Sequence, residues 1–220
     1  MKKLLSVAVV IMTAALFFAG CSNSADGPTE TLPGTWVSSV EYWPSTPENW
    51  TRNGNTFSYN LTDVSSLGME SGYTYPKFCQ IKTNPIYGVK VKIRQNSRTD
   101  SEVGIMLFMD DNSSCYYLTF VYDSYILYET LPNGERTCLT MNNGHSNIFN
   151  SSVIKKEGQT NEVLFYTDGD NLVIKVNGTL LKSIPKQLDS GFAAPVVGLN
   201  SGVTTPINAS WEFLEFQTAK

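Results

Sequence analysis

The chain is poor in the residues most often used for catalysis and metal binding. Of its 220 residues only His145 is a histidine, and no Cys-x-x-Cys pair occurs, so a zinc site of the usual Cys/His kind has no ligand set. The lone histidine and the lack of a Gly-x-Ser-x-Gly elbow likewise leave a serine or cysteine triad without its parts. Basic residues are not in excess: Lys and Arg total 16 against 20 Asp and Glu, a net charge of −4, which gives no basis for holding nucleic acid. The one long apolar run, residues 4–18, is broken by Ser6 and Thr13 and is short for a permanent transmembrane helix. Beyond it no stretch carries a convincing helical period.

What is present begins at the N-terminus. Met1, Lys2 and Lys3 form a positive region ahead of the apolar run, the pattern of an export signal. The run ends in Phe18-Ala19-Gly20-Cys21, which resembles the lipobox of bacterial lipoproteins, departing from it at Phe18, where that family usually has Leu. The resemblance implies a signal peptide over 1–20 and acylation of Cys21, the lipidation site. Several acyl chains, palmitate among them, then anchor the protein to a membrane without crossing it. Residues 21–33 follow as a flexible tether, small, polar and rich in Pro and Gly, and residues 34–220 as one β domain. Ser22 is compatible with sorting to the outer membrane, and the expected location is the cell envelope, at the outer membrane or cell surface. With Cys21 acylated, Cys79, Cys115 and Cys138 allow at most one internal disulfide, and spacing does not choose the pair.

The body reads as strands. In Val89-Lys90-Val91-Lys92-Ile93-Arg94 apolar and basic residues alternate, so the strand is half buried and its three cations face water. Residues 103–109 are apolar on both faces, which suits an inner strand. Strands at 115–122, 125–131 and 136–141 follow, joined by short turns into an antiparallel meander. After a loop at 142–152 come strands at 162–167, 172–176 and 180–184, separated by Asp168-Gly169-Asp170 and Asn177-Gly178. Both separators tolerate the positive φ of tight hairpin turns. Strands at 196–199 and 209–216 close the chain. Many short strands at regular spacing argue for a sandwich or barrel.

The ordered elements "VKVKIRQNS", "VGIMLF", "CYYLTFVY", "NEVLFYTDGDNLVIKVNGTLLKSI", "PVVGLNSG" and "WEFLEF" resemble the concanavalin A-like lectin/glucanase superfamily, including its laminin G-like members, over about three fifths of the chain. The resemblance implies an all-β, antiparallel β-sandwich of jelly-roll type. A lipocalin-like β-barrel is the alternative, from "LPGTW" at 32–36, where Gly34 and Trp36 fit the strand that closes one end of such a barrel. Some laminin G-like members hold calcium at the sandwich rim. Asp110-Asp111-Asn112 and Asp168-Gly169-Asp170 offer oxygens, but neither is a dense ligand loop, so no cofactor is expected.

Glucanases of the superfamily use an Glu-x-Asp-x-x-Glu strand to set two carboxyls on one face, and this motif is absent. Glu212 and Glu215 are separated by an odd number of positions, which on a regular strand sends them to opposite faces. Binding is therefore the expected activity, with a carbohydrate or an envelope or host protein as partner. If the hairpins pair as drawn, Met106, Phe108, Tyr116, Leu118, Phe120, Leu127 and Glu129 share one sheet face. Ile105, Leu107, Tyr117, Val121 and Ile126 share the other. By analogy with the superfamily the second set forms the core and the first an exposed concave face, making Phe108, Tyr116 and Glu129 ligand-binding candidates. Trp43 and Trp50 are alternative stacking residues. The rival readings are a structural envelope protein and a glycoside hydrolase acting through Glu129.

Overall fold

The computed structural model describes residues 31–40, 48–64, 72–74, 85–109, 114–140, 149–199 and 203–219. Cys21, Trp43, Cys79, the 110–112 turn and His145 lie outside them, as does the signal segment. The unit from Pro33 to Lys220 holds every strand that follows.

Fifteen strands occur among the described residues: β1 Thr35–Val37, β2 Trp50–Asn53, β3 Thr56–Leu61, β4 Gly72–Thr74, β5 Gly88–Gln95, β6 Glu102–Met109, β7 Cys115–Val121, β8 Ser124–Thr130, β9 Arg136–Cys138, β10 Phe149–Asn150, β11 Thr160–Asp168, β12 Asn171–Val176, β13 Thr179–Pro185, β14 Phe192–Leu199 and β15 Ile207–Ala219. They form two antiparallel sheets. The first runs β13-β12-β11-β5-β15-β3-β2, with β1 added beside β15; the second runs β10-β8-β7-β6-β14-β4, with β9 added beside β8. The sheets are open and face one another, so the fold is an antiparallel β-sandwich of jelly-roll type. It is not the barrel that "LPGTW" suggested. Gly34, at φ 78°, turns the chain into β1, the Trp36 indole donates to Pro33 O at 2.9 Å, and β1 pairs with the end of β15.

Alternation dictates the first sheet. Val89, Val91 and Ile93 are buried, and their partners Phe165, Val163, Phe213 and Trp211 lie on the same inner side. Lys90, Lys92 and Arg94 point outward as the sequence predicts; Lys90 pairs with Glu162 and Lys92 with Glu212, each at 3.3 Å. Leu172, Ile174 and Val176 are fully buried beside Val163 and Phe165. The Asn177-Gly178 turn has φ of 51° and 79°, both positive, as a two-residue I′ hairpin requires. Asn177 does more than turn. Its Oδ1 accepts from Glu162 N at 3.0 Å and its Nδ2 donates to Val153 O at 2.8 Å, tying the 151–158 segment to the hairpin.

Strand β15 departs from regularity where the sequence gives no sign. Phe213 pairs with Val91 but Glu215 pairs with Lys90, so Leu214 is an extra residue in a bulge. Glu212 and Glu215 consequently share the outer face opposite Lys92 and Lys90, which corrects the expectation that they point apart.

Between the sheets, Trp211 donates from Nε1 to Gly104 O at 2.7 Å, and Phe165 packs against Phe108 and Tyr116 at centroid distances of 6.4 and 6.3 Å. These contacts identify the inner face of the second sheet. On it lie Val103, Ile105 and Leu107 of β6, opposite Phe120, Leu118 and Tyr116 of β7, which in turn oppose Tyr125, Leu127 and Glu129 of β8.

Candidate functional site

The inner-face assignment reverses the sequence-based choice of ligand-binding face. Tyr116, Leu118, Phe120, Leu127 and Glu129 do share one side, but that side is the core. In β6 the register is one residue off the expected one, and such a slip exchanges the faces of a whole strand. Phe108 then rejoins the core through a second irregularity: at φ 60° it is the extra residue between Leu107 and Met109, which pair with Ala193 and Phe192. Phe108 and Tyr116 are fully buried, with rings 6.1 Å apart. The Tyr116 hydroxyl accepts from Gln187 N at 2.7 Å and Leu188 N at 3.3 Å. Burial pushes the phenol pKa up to about 12, and the buried Glu129 carboxylate acts in the same direction. Glu129 thus lies inside the sandwich, and none of the three reaches a ligand on the sheet surface. Trp50 is buried as well, with its ring 4.9 Å from that of Tyr59 and 5.2 Å from that of Trp211.

The opposite face of the second sheet is its outer one. Its middle is closed: Met106, Thr119, Ile126, Ala194 and Val196 are all buried. Toward β9 it opens. Tyr117 and Tyr128 are direct cross-strand partners and half-buried, Cys138 lies opposite Tyr128, and Arg136 is exposed. The Arg136 guanidinium sits 3.9 Å from the Tyr128 centroid and 5.7 Å from that of Tyr117, a cation held over two rings. The hairpin turn at Tyr122 and Asp123 sets this register, and the β8–β9 turn is fixed by Gly134 N donating to Leu131 O at 2.8 Å. The result is a ledge of aromatic surface edged by guanidinium donors. Such a surface can stack on the apolar face of a sugar and bond its hydroxyls.

Carboxylates are sparse on this face. Among the described residues Glu102 is the one acid that its strands present, and it accepts from Thr119 Oγ1 at 2.7 Å. A retaining pair needs two carboxyls about 5–5.5 Å apart, and the described residues supply none here. Glu212 and Glu215 lie on the other sheet, where Glu212 is exposed and paired with Lys92 beside a shallow depression of about 240 Å³. No group of three or more His, Cys, Asp or Glu side chains able to hold a metal occurs among the described residues. Gly169, at φ 56°, accounts for the Asp168-Gly169-Asp170 turn without an ion. Cys115 and Cys138 are not joined to each other, and the Cys138 sulfur lies 3.4 Å from Thr140 Oγ1.

No protein-family model matches the sequence, and no curated protein matches it either. Solved structures share its fold at low identity. The Bacillus licheniformis β-glucanase superposes with a TM-score of 0.52 at 11% identity, over 86% of this chain and 94% of its own. A β-1,3-1,4-glucanase derived from a mouse hindgut metagenome gives 0.53 at 9%, over 83% and 92%. The κ-carrageenase of Pseudoalteromonas carrageenovora, solved with an oligotetrasaccharide of κ-carrageenan, gives 0.51 at 11%, over 90% and 100%. At these identities the likeness is one of fold.

Proposed function

We propose that the protein is a lipid-anchored cell-envelope protein that binds carbohydrate without cleaving it. The observation that carries the binding reading is the ledge of Tyr117, Tyr128 and Arg136 on the open part of the outer face, aromatic surface and hydrogen-bond donors in one place. The shared fold of a β-glucanase and of a carrageenase solved with its oligosaccharide supports a saccharide as the ligand. The non-catalytic reading rests on Glu102 being the one carboxylate that the strands of that face present among the described residues. Anchoring rests on the sequence around Cys21.

The test uses the full chain in detergent micelles on an array of β-glucan and carrageenan oligosaccharides. Tyr128→Ala and Arg136→Gln are expected to weaken binding at least tenfold, without releasing sugar from any bound glycan. Unchanged binding in both variants would remove the ledge from consideration, and reducing-end release by the wild type would overturn the non-catalytic reading. Labelled palmitate incorporated by the wild type and not by Cys21→Ala checks the anchor.

A further inference from the structure

An exposed aromatic, Tyr122, stands apart from the ledge, at the β7–β8 turn. Tyr122 begins the β7–β8 turn with φ 57°, a conformation natural to glycine and strained for a bulky side chain. Its ring is not absorbed by the core, for Tyr122 is 36% exposed. Arg98, from the β5–β6 connection, holds its guanidinium 4.8 Å from the ring centroid. Asp123, Lys156 and Glu157 complete a recess of about 250 Å³ around the pair.

The walls of this recess are tied together independently of any ligand. Gly158 N donates to Gln95 O at 2.7 Å, and Gln95 Nε2 donates to Phe120 O at 3.2 Å, linking three connections. The Asn161 side chain accepts from Lys155 N at 2.8 Å and donates to Lys155 O at 3.0 Å, which fixes the turn bearing Lys156 and Glu157. A strained, exposed aromatic held in a braced recess is the arrangement expected of a ligand clamp.

We propose that this recess is a second saccharide site, taking one neutral sugar ring. The proposal rests on the carbohydrate reading above and extends it to a site on other residues. Two cations and two carboxylates line the recess, so their charges balance and an anionic ligand would meet Asp123 and Glu157 as well as Arg98 and Lys156. A sugar hydroxyl both donates and accepts, and it can use the guanidinium and ammonium as donors and the carboxylates as acceptors. The Tyr122 ring supplies the apolar surface that the C–H face of a pyranose covers. The volume suits a single ring at a chain end or branch.

The experiment uses the full chain in detergent micelles on an array of neutral, uronate-containing and sulfated oligosaccharides, with Tyr122→Gly, Arg98→Gln and the ledge variant Tyr128→Ala. Tyr122→Gly removes the ring and relieves the backbone, so it is expected to melt at the same temperature or higher while binding neutral oligosaccharides at least tenfold more weakly. Arg98→Gln should weaken the same glycans. If both variants bind as the wild type does while Tyr128→Ala loses binding, the recess is overturned and the ledge stands. If both lose binding and Tyr128→Ala does not, the recess stands and the ledge falls. Loss confined to uronate or sulfated glycans overturns the neutral ring, and a wild type that binds no saccharide overturns both sites.

Discussion

The two sheets face each other with the same kind of residue and differ in what they turn away from the core. On the outer side of the first sheet, Lys90, Lys92 and Arg94 alternate with buried valines and isoleucine, and the charges of Lys90 and Lys92 meet Glu162 and Glu212 in water. On the outer side of the second, Met106, Ala194 and Val196 are as deeply buried as the residues that face the core. A sheet with one wet face has somewhere to absorb change, and its register is fixed by which side can tolerate water. A sheet buried on both sides has neither property. That contrast is what makes the open strip at Tyr117, Tyr128 and Arg136 informative, because it is polar and accessible on a face that is otherwise closed.

The sharpest way to break the comparison is to add one methyl group to the closed face. A Cβ at Gly104 would lie 2.0 Å from Leu118 O and 2.6 Å from Thr119 Cα, both backbone atoms of the neighbouring strand. The same residue's carbonyl accepts the Trp211 indole from the facing sheet. Gly104→Ala therefore has to move β6 against β7 or lose that bond. It is expected to cost about 3 kcal/mol or more in urea unfolding, or to prevent folding. A cost below about 1 kcal/mol would mean that the outer face is loosely packed and that the two sheets differ less than their burial suggests.

The same contrast explains which parts were legible in the sequence. In β5 the alternation of apolar and basic residues gave both the strand and its phase, so Lys92 falls on the predicted side. In β6 every residue from Val103 to Met109 except Gly104 is large and apolar, so the strand was visible and its phase was not. The bulges at Phe108 and Leu214 add to this, since neither carries the glycine that would announce a break, and both change which residues share a face. Tyr117, Tyr128 and Arg136 converge only once the β7–β8–β9 register is known. Alternation in "CYYLTFVY" and "YILYET" could have aligned the tyrosines, whereas Arg136 required the turn geometry as well. The Asn177-Gly178 turn was readable because its chemistry is local. The bonds from Asn177 to Val153 and Glu162 were not, because their partners lie far along the chain.

An effect of middle size comes from the polar link inside the core. Tyr116→Phe removes the acceptor for Gln187 and Leu188 N–H, leaving two backbone donors without that partner. The expected loss is about 1–3 kcal/mol. It carries a pH signature. The folded-state phenol titrates near 12 and an unfolded tyrosine near 10, so the folded form favours the protonated hydroxyl. Its contribution is fully present below pH 10 and is lost as the pH rises from about 10 to about 12. Tyr59 and Tyr125 are shifted upward too, chiefly by burial, and act in the same direction. Urea midpoints measured from pH 8 to pH 11.5 should fall less steeply in Tyr116→Phe than in the wild type. Parallel curves would remove Tyr116 from the alkaline response.

The smallest effect belongs to the wet face and completes the contrast. Lys92→Gln breaks the 3.3 Å contact with Glu212 in the middle of the first sheet. Both side chains are well exposed, at 41% and 53%, so water and salt already screen much of their attraction. Glutamine keeps most of the aliphatic stem over the sheet. The variant is therefore expected to unfold within about 0.5 kcal/mol of the wild type, with the difference shrinking further at high salt. Gly104 and Lys92 lie on outer faces of adjacent layers in the same sandwich. A loss at Lys92 approaching that at Gly104 would show that cross-strand charge, rather than burial on both sides, sets what a sheet of this protein can tolerate.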